Sequence, residues 1–217
     1  MLSPRALTDL PFFEYLVAPD AEPEQGGSYD VVHFNGASFA DVRAENTRFT
    51  ECAFSSVDLT GTRLRDSRWN DVWLTAAQMI NTDLAEATWL DTEVVTSVLA
   101  GTALFDAKLS RVSFFGCKLI SVNLRGATLR DVAFVDCTLR DVDFSETTLT
   151  GVTFTGSELK DTVFDKATMK KVDLRGTTGL GIKSGYDSLK GAIVSDTQLM
   201  ELAPALAQTL GLVVKRS

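Results

Sequence analysis

One histidine and three cysteines are the residues of this 217-residue chain whose side chains most often act as bases, nucleophiles or metal ligands. His33 has no serine or cysteine placed with it in a catalytic motif, so we interpret it as a surface residue. Cys52, Cys117 and Cys137 lack the paired spacing of a zinc site or of a disulfide framework. The sequence also has no phosphate-binding loop and no nucleophile elbow. It therefore predicts no catalytic residue, no metal and no cofactor, and a protein that is not an enzyme.

Carboxylates are the second chemically distinctive set, because they recur at intervals of 20 residues. One series holds Asp66, Glu86 and Asp106, and the other holds Glu51, Asp71, Asp91 and Asp131. If the fold stacks residues 20 apart, each series becomes a column of negative charge that could imitate DNA phosphates and bind a protein partner. The alternative is structural, since Asp suits turns by accepting hydrogen bonds from nearby backbone amides. Five arginines are interleaved with these carboxylates: Arg43, Arg48, Arg63, Arg65 and Arg68.

The overall charge of −8, with a pI near 4.7, argues against direct binding of nucleic acid, which requires a basic surface. Residues 1–30 carry a net charge of −5, and residues 31–178 carry −4. No segment approaches the roughly 18 uninterrupted apolar residues of a membrane span. The N-terminal residues do not resemble a secretion signal, and unpaired cysteines suit a reducing compartment. We therefore expect a cytoplasmic protein that contacts neither nucleic acid nor membrane.

A period of five residues must position all of these side chains. Every fifth residue from Phe34 to Leu174 is apolar, and the residue two places earlier, from Val32 to Val172, is always Val, Ala, Thr, Ser or Cys. This period fits neither a helix nor a strand. It fits a square coil in which each five-residue unit forms one side, with its large and small residues pointing inward. Four units return the chain to its starting face one layer higher, about 4.8 Å away if the layers pair as parallel strands.

Five tripeptides within this period carry a family resemblance: Val57-Asp58-Leu59, Thr82-Asp83-Leu84, Val122-Asn123-Leu124, Val142-Asp143-Phe144 and Val172-Asp173-Leu174. They resemble the A(D/N)LXX repeat of the pentapeptide-repeat family. The resemblance implies an all-β fold, the right-handed quadrilateral parallel β-helix. We expect about seven coils over residues 31–178.

Residues 1–30 are predicted to be an N-terminal capping segment and linker. A short helix is expected after Pro4, and the apolar residues up to Val17 should fold back over the first coil or along one side. One side of the coil is itself apolar, because its outward positions include Trp73, Val95, Phe115 and Val135, together with Ala53 and Ala133. Such a stripe indicates either a partner surface or a surface that the chain's own N-terminal segment covers.

Residues 179–217 are predicted to form a C-terminal loop, helix and strand that cap the rod and mediate dimerisation. We expect a loop over residues 179–185, then a helix with Ser195 or Asp196 as its N-cap and Gly211 beyond its end. Pro204 should kink or restart this helix, and residues 212–214 should form a terminal strand. The candidate dimer contacts are Leu199, Leu202, Leu206 and Leu210.

The C-terminal region also resembles that of the quinolone-resistance group of the family, the Qnr proteins and the mycobacterial MfpA. Two segments carry this likeness, Leu189-Lys-Gly-Ala-Ile-Val194 and Gly211-Leu-Val-Val214. The resemblance implies a rod-shaped homodimer joined through this region, which imitates DNA and modulates or protects DNA gyrase or another topoisomerase. The alternative is a structural scaffold that binds an unrelated protein and recognises it through its N-terminal segment.

Overall fold

Three-residue strands form where a large apolar residue lies between two outward residues, as in Arg68-Trp69-Asn70, in which Trp69 is buried. In the computed structural model, which describes residues 2–213, these strands stack in parallel as the faces of a four-sided solenoid of about eight turns. Partners in neighbouring coils lie 20 residues apart, as Trp69 does from Phe49 and Trp89. The predicted fold class and the predicted stacking interval are therefore confirmed.

Three faces are hydrogen-bonded sheets. Face A contains β1 (Ser28–Asp30), β3 (Arg48–Thr50), β5 (Arg68–Asn70), β8 (Thr88–Leu90), β11 (Lys108–Ser110), β14 (Thr128–Arg130), β17 (Thr148–Thr150) and β20 (Thr168–Lys170). Face B contains β2 (His33–Asn35), β4 (Ala53–Ser55), β6 (Trp73–Thr75), β9 (Glu93–Val95), β12 (Ser113–Phe115), β15 (Ala133–Val135), β18 (Thr153–Thr155), β21 (Val172–Asp173) and β23 (Ala192–Ile193). Face C contains β7 (Gln78–Ile80), β10 (Val98–Ala100), β13 (Lys118–Ile120), β16 (Thr138–Arg140), β19 (Glu158–Val163) and β22 (Gly179–Ser184). Face D is held by isolated parallel bridges from Arg43 to Val163.

The corners of the coil depend on a left-handed backbone conformation. Every fifth residue from Val31 to Lys171 has a positive φ, between 45° and 70°. Gly, Asn and Asp tolerate this conformation best, and many of these positions hold one of the three. The acidic columns occupy these corner positions, so their backbone is fixed by the turn.

The core is a ladder of large residues, and the small inward residues beside them form hydrogen bonds between coils. Phe114, Phe134 and Phe154 stack with ring centroids 5.0 and 5.1 Å apart. The inward hydroxyl of Thr62 donates to the carbonyl of Phe39, 23 residues earlier, and that of Thr82 donates to Leu59 in the same way. Polar residues are therefore accepted in the small inward row because many of them donate to a carbonyl one coil below, while Thr92 and Ser97 donate to a carbonyl two residues earlier in the same coil.

The N-terminal residues run along face B and form a segment that we call the strap (residues 2–17). It contains two short 3-10 helices, η1 (Leu7–Asp9) and η2 (Phe13–Tyr15), in place of the single helix expected after Pro4. Its last residue, Val17, pairs with Val32 at the base of the rod. At that base Tyr29 stacks on Phe49, with centroids 5.5 Å apart, and covers the first aromatic layer.

At the C-terminal end the coil continues further than expected. Residues 179–184 form strand β22 on β19, so the predicted loop is wrong there, and a 3-10 helix, η3 (Tyr186–Leu189), follows. The side chains of β22 and η3 fill the end of the core although the five-residue pattern has decayed, and Ile182 among them is buried.

The single helix α1 (Asp196–Thr209) has the predicted cap, because Ser195 Oγ accepts from the Gln198 amide at 3.2 Å and Gly211 follows the helix with a φ of 70°. The helix continues through Pro204, so the predicted restart is wrong. The proline removes one N–H whose acceptor would be the carbonyl of Met200, which lies on an exposed part of the helix. Leu212 and Val213 are in no strand, and Val214 lies outside the described residues.

Candidate interaction surfaces

The two predicted acidic series form columns on the corners that border face A. The D/A column (Asp66, Glu86, Asp106) lies where face D meets face A, and the A/B column (Glu51, Asp71, Asp91, Asp131) lies where face A meets face B. All seven have positive φ, and all except Asp91, which is half-buried, are exposed. The structure thus brings each series together as a column one coil apart.

Two of these carboxylates are paired with arginines. Arg111, itself in the A/B column, holds both oxygens of Asp91 at 2.6 Å, and Arg65 holds Glu86 at 2.9 Å. The hydrogen bonds from Arg111 lower the pKa of Asp91. Burial and the negative charge of Asp91 raise the pKa of Asp71. The A/B column therefore contains one neutralised carboxylate and one that lies close to a like charge.

The turn role expected for these carboxylates belongs to a different repeat position. Backbone amides two residues later donate to Asp58, Asp83 and Asp143, which directly precede large inward residues. In the columns the carboxylate instead leans along the rod. A Cβ added to Gly126 would collide with Oδ1 of Asp106 in the coil below, so that glycine makes room for the acid.

A row of cations lies on face A, between the two acidic columns, and was not predicted. Exposed basic side chains project from five of its strands: Arg48, Arg68, Lys108, Arg130 and Lys170. All of these occupy the residue before or after a large inward residue, and sorting the sequence by face would have shown the row. The acidic columns therefore border a basic strip.

The apolar stripe lies on face B and is largely covered. Trp73, Phe115 and Val135 are buried, and Val95 is half-buried. Leu10 and Phe12 of the strap pack with Ala53 and Trp73, while Phe115, Ala133 and Val135 form a second cluster next to them. The sequence left open whether this stripe binds a partner or is covered by the chain's own N-terminal segment. The N-terminal segment covers the part of the stripe around Trp73.

Three polar contacts fix the strap at one residue. The amide of Arg5 donates to Oε1 of Glu93 at 2.7 Å, and the Arg5 Nε donates to Oε2 at 2.9 Å. The indole N–H of Trp73 donates to the carbonyl of Arg5 at 3.2 Å. Glu93 is 7 % exposed, so this outward carboxylate is buried beneath the strap with a charged partner.

The candidate dimer contacts share one face of helix α1 but differ in burial. Leu202 is buried against the last coil and Leu206 is half-buried, whereas Leu199 and Leu210 are 49 % and 74 % exposed. Gln198 secures the inner side by donating to the carbonyl of Leu174 at 2.8 Å. Leu202 therefore serves the cap and is not available on the free surface of this chain.

His33 and the cysteines have no arrangement that would support chemistry. The Nε2 of His33 lies 2.8 Å from Ser55 Oγ on face B, and burial lowers the pKa of this histidine. All three cysteines are free and buried, and burial raises the pKa of Cys52 to about 11. Within residues 2–213 no three His, Cys, Asp or Glu side chains are grouped to hold a metal, and no helix is long and apolar enough to cross a membrane.

Comparison with known proteins gives two family matches. Residues 107–182 match the model of the pentapeptide repeat region, and residues 32–66 match the model of pentapeptide repeats in eight copies. Together they span just over half of the chain. No curated protein matches the sequence at a significant level.

Several solved structures are similar. QnrB1, a plasmid-mediated fluoroquinolone resistance protein, is 17 % identical, with a TM-score of 0.32 over 83 % of this chain and 99 % of that one. HetL, from the cyanobacterium Nostoc sp. strain PCC 7120, is 16 % identical, with a TM-score of 0.32 over 79 % of this chain and 91 % of that one. A pentapeptide repeat protein of the Arabidopsis thaliana thylakoid lumen is 15 % identical, with a TM-score of 0.22 over 86 % and 83 %. At these values the structures carry no argument about what this chain does.

Proposed function

This chain belongs to the pentapeptide-repeat family, and we propose that it is a non-enzymatic cytoplasmic rod that binds another protein through its acidic corner columns. The observation that supports this proposal is the placement of exposed carboxylates on corners whose backbone conformation is the same in every coil. Because the scaffold is rigid and repetitive, these charges are held in position before a partner arrives, and binding loses little conformational entropy.

The partner we propose to test first is DNA gyrase. A protein groove that grips duplex DNA is basic, and columns of carboxylates could occupy it. The resemblance of the C-terminal segments to the quinolone-resistance group indicates gyrase among such enzymes. The attraction would be largely long-range, with a screening length of about 8 Å at physiological ionic strength. Binding should therefore weaken as salt rises, and duplex DNA should compete.

The decisive variant reverses four column charges at once. The four changes are Glu51→Lys, Asp71→Lys, Glu86→Lys and Asp106→Lys, all at exposed residues of the two columns. Lysine already occupies the same corner columns at Lys166 and Lys171, so the left-handed turn accepts it. We expect wild-type protein to inhibit gyrase supercoiling and the variant to lose that inhibition, while the melting temperature changes little because exposed charges contribute little to stability.

A matched control changes the net charge equally at another place. Its four changes are Glu14→Lys, Asp20→Lys, Glu22→Lys and Glu24→Lys, all at exposed residues before the rod. This control should still inhibit gyrase. If both variants lose gyrase inhibition equally, the inhibition depends on net charge and not on the columns. If wild-type protein does not affect supercoiling even at high concentration, the gyrase proposal is refuted.

The second candidate function is a scaffold whose strap recognises an unrelated protein. The observation that favours it is the charged clamp between Arg5 and Glu93, which is more specific than a cover for apolar surface requires. A rod that binds its partner equally well after the four column reversals would favour this candidate.

We also propose that the protein is a homodimer joined through its C-terminal region. Leu199 and Leu210 lie 11 residues apart, about three helical turns, and so lie together at the exposed edge of the leucine face of α1. Exposed Met200 and Leu212 extend this apolar surface. Leu199→Glu with Leu210→Glu should give a folded monomer in light scattering, whereas Leu202→Glu should lower stability. A wild-type monomer at high concentration would contradict the dimer.

A further inference from the structure

The strap lies in a groove on face B, and several contacts in this groove bind one strap residue, Arg5. Glu93 binds both the amide and the side chain of Arg5, and Trp73 binds its carbonyl. A carboxylate that holds main chain and guanidinium together fixes the position of an arginine along the segment as well as its charge. The groove therefore selects the residue type and the register.

Two apolar anchors follow at set intervals from this arginine. Leu10 and Phe12 are 4 % and 6 % exposed, and they pack on Ala53 and Trp73. Their neighbours Phe13 and Tyr15 point away and are exposed. The bound segment thus presents an arginine, then apolar residues five and seven positions later, in an irregular conformation with two 3-10 turns.

The charges around the groove favour a cationic ligand. The positive charge of Arg5 acts on the carboxylates of Asp71 and Asp91 in the neighbouring A/B column. A cleft of this surface is lined by Arg5, Asp71, Asp91 and Glu93, with Arg111 at its edge. With the strap in place, Glu93 is buried and its charge is balanced by Arg5. Without the strap, Glu93 would be an outward carboxylate on face B that is free to bind another cation.

The strap is held at few points compared with the rod. Its one backbone pairing with the solenoid is at Val17 and Val32, whereas each strand in the interior of the rod pairs with the coils above and below. The Arg5 side chain is 41 % exposed at the clamp. Segments with few buried contacts open locally without unfolding of the whole protein.

We propose that this groove on face B is a peptide-binding site for a segment of another protein that adopts the strap's irregular conformation and carries an arginine followed by apolar residues five and seven positions later. In the isolated chain the strap occupies the site in cis, and the partner segment takes its place. Leu2 and Pro4 of the strap lie beside Phe115 and Val135, so the surface that a partner segment would cover extends along this part of the stripe. This site is distinct from the proposed binding through the corner columns because it is centred on Glu93 and Trp73, although Asp71 and Asp91 border both surfaces.

The test uses the full chain with its strap released by Leu10→Asp and Phe12→Asp, and a fluorescent synthetic peptide of residues 2–17 as the probe. Trp69 and Trp89 are fully buried, so iodide quenching of tryptophan emission reports the exposure of Trp73. We expect greater quenching in the variant than in the wild type. The peptide should bind the variant at least tenfold more tightly than the wild type, because the wild-type strap competes for the groove.

Two controls isolate the clamp. A peptide with Arg5→Ala, or Glu93→Gln in the strap-released protein, should each weaken binding at least tenfold. If the double variant does not fold, full-length Arg5→Ala keeps both anchors and should still raise quenching and peptide affinity.

Three results would overturn the proposal. They are a folded variant with exposed Trp73 that does not bind the peptide, equal binding of the Arg5→Ala peptide, and unchanged Trp73 quenching in both strap variants.

Discussion

Trp89 offers a direct test of how the small inward row supports the core. Its Nε1 is the one buried side-chain nitrogen or oxygen within residues 2–213 that has no hydrogen-bond partner. One coil below, the Nε1 of Trp69 donates to Ser67 Oγ at 2.8 Å. The position equivalent to Ser67 beneath Trp89 is Ala87, which is fully buried. Ala87→Ser should therefore supply the missing acceptor.

The expected gain follows from two terms. An unsatisfied buried donor costs about 1–3 kcal/mol, and a satisfied hydrogen bond contributes about 1 kcal/mol. The new serine hydroxyl must also donate a hydrogen bond. Thr62 and Thr82 each donate to the carbonyl 23 residues earlier, and the equivalent acceptor for residue 87 is the carbonyl of Leu64. Allowing for the lost hydration of the serine, we expect stabilisation of about 1–2 kcal/mol, or roughly 2–4 °C in melting temperature for each kcal/mol.

Thermal and urea unfolding of Ala87→Ser should be compared with that of Ala107→Ser. Ala107 is equally buried in the same row, but the residue two places later is Leu109, whose side chain has no hydrogen-bond donor. The difference between the two variants therefore measures the indole hydrogen bond. The gain should also disappear in a Trp89→Phe background. Equal shifts at residues 87 and 107 would refute this account of the inward row.

Two further predictions concern the core and the base of the rod. Leu124→Asp should destabilise the protein by more than about 4 kcal/mol, because it places a charge in the dry core. Arg125→Asp replaces the exposed ion pair with Glu146 by a like-charge contact and should cost only about 1 kcal/mol. Equal urea midpoints for the two would contradict the inward assignment. Burial lowers the pKa of His33 below its ordinary 6.5, so the unfolded chain binds the proton more readily. The free energy of unfolding should therefore fall as pH drops from about 7 to about 5, and His33→Gln should reduce this slope; an unchanged slope in urea titrations would argue against it.

The solenoid could be predicted because one pattern determines both its local and its global structure. A large residue such as Leu124 every five positions specifies the inward direction, the corner and the stacking interval together. Where the pattern decays, after Leu174, the prediction failed, although residues 179–184 still pair with β19. Pairing with an existing sheet edge can stabilise a strand in a segment whose sequence pattern does not predict one.

The position of the strap could not be predicted from the sequence. Leu10 and Phe12 are apolar enough to require cover, but their partners Ala53 and Trp73 lie far along the chain. The contact that fixes the strap is Arg5 with Glu93, 88 residues apart, and neither residue has a periodic signal that links it to the other. Long-range pairing of this kind becomes visible only when the faces are assembled.

The corner conformation sharpens the interpretation of the acidic columns. A left-handed backbone explains an Asp, which tolerates it well, so Asp71 and Asp106 are accounted for without a partner. Glu has no comparable preference, and the long basic side chain of Arg111 at the same type of position shows that the turn does not require a negative charge. Glu51 and Glu86 are therefore the carboxylates that the turn does not explain. Since Glu86 is already paired with Arg65, Glu51 at the exposed start of the A/B column is the acidic residue best explained by binding.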